Sequence, residues 1–220
     1  MESFSKSLMR GIDILDVFAR EGGELNLSNI AALTGLHVTT VFRLVSTLAQ
    51  RGYLKQNGDK GTYSLGLKML DFTFAIRRDM KYLDMAYLSL SKLCKELNES
   101  VYMGVLDNNS LLVIEEIGVQ DDMRINSPIG KRLPLYCTAC GKVLLSALPD
   151  EERRAYFTDT SLHSYTKNTV TEISALENEM ESIKSEGVGF QNEEYRMGIW
   201  SVAAPISNGS GKTISAVGLV

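Results

Sequence analysis

The stretch Leu27–Arg51, LSNIAALTGLHVTTVFRLVSTLAQR, decides how this chain is read. It holds two short helical patterns parted by a glycine. Ser28 stands where a hydroxyl can accept from a backbone N–H one turn on, which predicts the cap of the first helix. Ile30, Ala31 and Leu33 give that helix an apolar face. Gly35 supplies the positive φ that a sharp turn requires. The second helix starts near Val38 and repeats apolar residues at Val41, Leu44, Val45 and Leu48, the i, i+3, i+4, i+7 spacing of a buried stripe. Its other face carries Thr39, Thr40, Phe42, Arg43, Ser46 and Thr47. Short polar side chains with one guanidinium suit close approach to base edges and phosphates.

An αα-hairpin inside an all-helical core would share this spacing. The residues that follow decide against it. Arg51-Gly52 ends the second helix and Tyr53-Leu54-Lys55 begins a strand. Asn57-Gly58-Asp59-Lys60-Gly61 makes a hairpin tip, and Thr62-Tyr63-Ser64-Leu65 returns with strand alternation. Helix, turn, helix and a basic-tipped hairpin predict a winged helix–turn–helix that binds DNA. The candidate DNA contacts are Ser28, His37, Val38, Thr39, Thr40, Phe42 and Arg43, with Lys60 at the wing tip. His37 opens the second helix and is assigned to phosphate over the alternative of a solvated turn residue.

Outward from this stretch, Ser5–Glu21 reads as a first helix, closed by Gly22-Gly23, that packs behind the helix–turn–helix. Leu67–Arg78 reads as a further helix after the wing, with Leu67, Leu70, Phe74 and Ile76 apolar. The junction falls at Asp79-Met80-Lys81. Beyond it, Tyr82–Leu97 is an amphipathic helix with more apolar positions than one stripe needs, which predicts burial on two sides. Strands follow at Ser100–Leu106, Leu111–Ile117, Met123–Ile125, Gly189–Tyr195, Val202–Ile206 and Thr213–Val220. Helices are read at Val143–Leu148, from Pro149 onward and over Glu172–Glu186, and residues 158–171 read as loop. Helices among mainly antiparallel strands make an α+β second domain.

Composition excludes several classes. With 44% hydrophobic and 23% charged residues the chain is ordinary for a globular protein. No apolar run approaches the ~20 residues of a bilayer span, and Met1–Arg10 has no signal-peptide core. Three cysteines without a secretory signal point to the reducing cytoplasm, with no membrane partner. Residues 1–78 hold ten Lys/Arg against seven Asp/Glu, and residues 79–220 hold thirteen against twenty. A mildly basic head on an acidic domain agrees with DNA binding by the head alone. Two histidines, no nucleophile–base pairing at usable spacing and no strong phosphate-loop or metal motif argue against an enzyme. No cofactor is expected.

At this point the chain resembles the IclR family of transcriptional regulators over essentially all of its 220 residues. The carrying motifs begin with Arg10-Gly11-Ile12-x-Ile14-Leu15 and Leu33-Thr34-Gly35-Leu36-x-x-Thr39-Thr40-Val41-x-Arg43-Leu44, followed by Tyr63-x-Leu65-Gly66. Then come Gly130-x-x-Leu133-Pro134-Leu135-x-x-Thr138-Ala139-x-Gly141-Lys142, Asn192-Glu193-Glu194 and Gly198-Ile199-x-Ser201-Val202-Ala203-Ala204-Pro205-Ile206. The resemblance implies a winged helix–turn–helix domain (1–66) joined by a linker helix (67–81) to a GAF-like α/β effector domain (82–220). It also implies a homodimer or dimer of dimers on double-stranded, pseudo-palindromic operator DNA. Family members usually continue past the position of Val220 through a serine-bearing strand end and a last helix.

The second domain holds the expected effector site. A loop turning at Thr138–Gly141 into a helix exposes backbone N–H groups at the positive end of the dipole. Every helix has such an end, so by itself this is a plain N-terminus. The family resemblance makes it the dock of a small carboxylate or sugar acid, with backbone donors at Ala139 and Cys140. Carried over residue by residue, Ile125, Leu133 and Ile199 match apolar walls. Ser201 stands where many members have Cys, and Gln191 where many have Asp, so the ligand meets a neutral amide. Trp200 replaces a residue that is often Arg, while Gly218 and Val220 occupy positions of serines. Cys137-x-x-Cys140 has a metal or redox spacing. It supports an alternative, a redox- or zinc-responsive regulator, against the plainer reading of two buried small residues. Glu193 and Glu194 are read as structural, holding loops near the pocket.

Overall fold

In the computed structural model the described residues are 4–58, 61–118 and 129–220. Lys60, and with it the wing tip, and Ile125, with the Met123–Ile125 strand, lie outside them. The chain divides into two units, Met1–Lys81 and Tyr82–Val220.

In the first unit, helix α1 (Lys6–Glu21) is capped by Ser5, whose hydroxyl accepts from Leu8 N. A two-residue strand β1 (Leu25–Asn26) leads into α2 (Leu27–Thr34), and α3 (Val38–Gln50) follows. The cap of α2 is a correction to the sequence reading. Asn26, not Ser28, closes its first turn, with Oδ1 accepting from Asn29 N at 2.8 Å. β1 pairs Asn26 with Thr62 and so delivers the chain extended as far as Asn26. The helix therefore starts earlier, at a residue type that caps as well as serine. Ser28 is left exposed in the first turn. Gly35 takes φ +68°, and α2 and α3 turn through 110° across it.

Ile14, Phe18, Ile30, Val41, Val45 and Tyr63 pack into one core, so the stripe expected on α3 is indeed inward. The wing strands β2 (Leu54–Asn57) and β3 (Thr62–Leu65) complete a three-stranded sheet in the order β1-β3-β2. Helix α4 (Met69–Asp79) buries none of its residues. Leu70, Phe74 and Ile76, and Leu67 just before it, are all exposed.

The second unit is a six-stranded antiparallel sheet in the order β6-β5-β4-β9-β8-β7. Its strands are β4 (Val101–Asp107), β5 (Ser110–Ile117), β6 (Arg132–Pro134), β7 (Gly189–Asn192), β8 (Trp200–Ser207) and β9 (Thr213–Leu219). Helix α5 (Tyr82–Leu97) packs on β4 and β5. It buries Leu83, Leu90 and Cys94, while Met85 and Leu88 stay exposed, so one of the two expected sides is covered within this chain. Helix α6 (Ala139–Ser146) has every residue buried, held between the sheet and α8 (Ile173–Glu186). Helix α7 (Asp150–Asp159) adds Tyr156 and Phe157 to the same core. β7 is shorter than the sequence predicts. Glu193 turns to φ +53° and ends the strand, so Glu193, Glu194 and Tyr195 belong to a loop.

Candidate DNA interface and effector cavity

On α3 the residues of the apolar stripe point inward, which leaves Val38, Thr39, Phe42, Arg43, Ser46 and Thr47 exposed as a continuous face. Thr40 is half-buried at its edge. Phe42, 53% exposed, is a large apolar ring presented to solvent on an otherwise polar face. His37 is the N-cap: its Nδ1 lies 2.8 Å from Thr39 Oγ1 and accepts from Thr39 N. One ring nitrogen is thus committed to holding the start of the helix. The Thr47 hydroxyl donates back to Arg43 O, so it is satisfied within the helix. The Arg43 guanidinium makes no ion pair among the described residues.

The expected effector residues converge in part. Leu133, Gln191, Ile199 and Ser201 line one small cavity of ≈ 60 Å³ between the sheet and the 193–199 loop. Gln191 and Ser201 face each other across β7 and β8. The Ser201 hydroxyl donates to Gln191 Oε1 at 2.8 Å, and Gln191 Nε2 donates to Ile199 O at 3.1 Å. The wall residues expected to meet a ligand are therefore bonded to each other. Ala139 and Cys140, whose backbone donors the sequence reading assigned to the effector, are not among the residues that line this cavity. Both are fully buried in α6, and Thr138 is as near as that helix comes to the wall. Thr138 spends its hydroxyl on Pro134 O at 2.7 Å and makes no side-chain cap. Trp200, 65% exposed, alternates away from Ser201 and lines a different, open groove.

The remaining wall includes residues that the sequence reading missed. Tyr102 is one, buried on β4, its phenol held well above its usual range by burial and then by the adjacent Cys140. Lys131 and Arg196 are two cations on the same wall. Strand alternation gives the side of Tyr102 but not what lies there, and the two cations come from separate loops.

Lys142 was also missed. It is 1% exposed, and its ammonium donates to Glu194 Oε1 at 2.7 Å, Glu179 Oε1 at 2.6 Å and Phe190 O at 3.2 Å. Burial raises the Glu194 carboxyl, and the Lys142 charge opposes that rise. The sequence did contain a signal. A helix reading ACGKVLLS has no polar face, so its lone cation has nowhere wet to go. Thr166 and Thr169 donate to the carbonyls of Glu193 and Glu194 at 2.7 and 2.6 Å, and Glu193 accepts from Gly198 N. These contacts fix the loop beside the cavity, the part the sequence assigned to the two glutamates.

Cys137 and Cys140 are fully buried, and burial pushes both thiols up to about 12. For Cys137 the Glu194 carboxylate adds to that rise. A thiol held protonated is a poor nucleophile and a poor metal ligand. Among the described residues no three His, Cys, Asp or Glu side chains come together as a metal site. The zinc- or redox-responsive alternative therefore has no support. No single helix is long and apolar enough to cross a membrane among the described residues.

Residues 7–58 match the IclR helix-turn-helix domain, and residues 77–220 match the family described as bacterial transcriptional regulator IclR C-terminal. The chain is 32% identical to the HTH-type transcriptional regulator KipR of Bacillus subtilis, over 94% of this chain and 82% of that one. It is 27% identical to the transcriptional repressor IclR of Escherichia coli, over 97% of this chain and 79% of that one. In fold it is similar to an IclR homolog of Microbacterium hydrocarbonoxydans solved with 4-hydroxybenzoate. That likeness has a TM-score of 0.88 at 21% identity, covering 97% of this chain and 88% of the other.

Proposed function

The chain belongs to the IclR family of bacterial transcriptional regulators, and from that premise we propose that it is a repressor of catabolic genes in the cytoplasm. Its activity is DNA-binding regulation and not catalysis. The observation that carries the reading is the exposed face of α3, with Arg43 and Phe42 set among short polar side chains on the second helix of a 110° turn. That helix enters the major groove of operator DNA, and two heads of a dimer, or of a dimer of dimers, read successive half-sites. Ser28 and His37 approach the backbone, with Lys60 of the wing.

The cavity beside Gln191 and Ser201 takes the effector, a small carboxylate or sugar acid. Lys131 and Arg196 on its wall support an anion, and the neighbouring fold solved with 4-hydroxybenzoate supports an organic acid. Binding there shifts the operator affinity by no more than the ligand's differential affinity for the two states of the regulator.

The test is fluorescence anisotropy on a duplex that the protein itself selects from random sequence. Affinity should fall steeply with salt. Arg43→Ala should cost about 1–3 kcal/mol of operator binding with an unchanged unfolding temperature. Unaltered affinity in that variant would remove α3 from the groove.

A further inference from the structure

We propose that Tyr102 decides what the effector cavity admits, limiting it to short-chain carboxylates whose anionic group points toward Lys131 and Arg196. This rests on the reading of the cavity as an effector site. Tyr102 on β4 is paired with Gly218 on β9, and its ring lies across that glycine. A Cβ built on Gly218 would stand 2.8 Å from Tyr102 Cε1 and 2.9 Å from Cζ. It would also stand 2.8 Å from Cys140 Sγ. No side chain fits there while the phenol is in place, and the missing side chain at position 218 is what lets the ring lie down.

The ring is therefore wedged between β9 and the first turn of α6, with its hydroxyl beside Cys140 and Ser201. This placement accounts for the absence of Ala139 and Cys140 from the wall. The side of α6 that would offer backbone donors to a ligand is covered by an aromatic ring from its own domain. An acid entering the cavity meets neutral groups at that end, namely the phenol, the Gln191 amide and the Ser201 hydroxyl. Lys131 and Arg196 supply the charge, and among the described residues no carboxylate side chain lines the cavity. The carboxylate accordingly faces those two cations.

Size sets the second limit. A volume of ≈ 60 Å³ has room for about four water-sized occupants. Sites for drug-sized ligands run to roughly 300–1,000 Å³. A two- or three-carbon acid suits this space and the larger benzoate does not.

The experiment measures the unfolding temperature of the full chain with propionate, lactate and benzoate, for wild type and variants. Wild type and Tyr102→Phe should be stabilised by a short acid and indifferent to benzoate. Tyr102→Val should gain a response to benzoate, and Lys131→Met with Arg196→Met should lose the response to short acids. A second measurement needs no ligand. Gly218→Ser should lower the unfolding temperature markedly in wild type and less in Tyr102→Val, because the clash with the ring is then gone while the one with Cys140 Sγ stays.

Where a short acid stabilises wild type, equal benzoate responses in wild type and Tyr102→Val would overturn the proposal, as would strictly additive effects of the two substitutions. Coupled substitutions with silence of every variant toward all three acids would instead overturn the effector reading and leave the ring where it is placed.

Discussion

The exposed face of α3 and the walls of the cavity beside Gln191 and Ser201, the two sites proposed above, show two ways of presenting side chains. On α3 the working side chains lie within thirteen consecutive residues, and the core on the other face holds the helix so that they project. Arg43 makes no ion pair among the described residues, and Phe42 pays a hydrophobic penalty for being exposed. In the cavity the lining groups come from β4, β6, β7, β8 and two loops, and Gln191 and Ser201 are bonded to each other. The helix can lose an exposed side chain of this face without losing its fold. The cavity domain has no such separation, because the residues that shape its site also hold its core.

The strongest way to break this contrast is Lys142→Met. It leaves Glu194 buried beside Glu179 without the cation that both address. Removing one partner of a buried ion pair typically costs about 3–5 kcal/mol. Trp200, the only tryptophan, sits on β8, so its fluorescence during urea unfolding follows the second unit. The midpoint should fall sharply there. A variant as stable as wild type would mean that the ion network contributes little to the domain.

A smaller effect should appear at alkaline pH. Cys137, Cys140 and Tyr156 are all pushed up to about 12 by burial, from ordinary values of 9.0 for the thiols and 10.0 for the phenol. Above pH ~9 the unfolded chain releases protons that the folded chain keeps. Stability is therefore fully present below the unfolded values and is lost as pH rises toward about 12. The unfolding temperature followed at Trp200 should fall from pH 8 to pH 10, with a gentler slope in Cys137→Ala. A flat profile would contradict the buried state of these groups.

The smallest test sharpens the picture of the head. Asn26→Ala should destabilise it by about 1 kcal/mol through loss of the α2 cap, whereas Ser28→Ala should be close to neutral. Thermal unfolding of both variants, read by circular dichroism, separates the two positions. Equal costs would restore Ser28 as the cap.

The same contrast explains what was legible in the sequence. A 3.6-residue period is a local property, so the inward stripe and outward face of α3 could be read from thirteen letters. The hairpin after it was legible for the same reason. The cap moved because serine and asparagine are nearly equivalent there, and the choice was made by a strand pairing 36 residues away in sequence, Asn26 to Thr62. The cavity was legible only where a family pattern marked it, at Leu133, Gln191, Ile199 and Ser201. Tyr102, Lys131 and Arg196 carry no local mark of a shared site, since only the sheet order and the loop ties bring them together. That Ala139 and Cys140 lie off this wall was not legible, because the donors of a helix start are a local property and the Tyr102 ring beside Cys140 is not.

The hydrogen bond between Ser201 and Gln191 has a consequence for dose. A ligand that bonds to either group must first displace the other, so it exchanges contacts more than it adds them. Net affinity then comes from the difference between two similar bonds, and it stays modest even when the fit is good. On the proposed reading of this cavity as the effector site, the regulator is unresponsive to traces and responds over the range in which a metabolite is abundant. Its threshold can be moved by changing one wall residue, which would let selection retune the concentration at which genes respond without touching the surface that reads DNA.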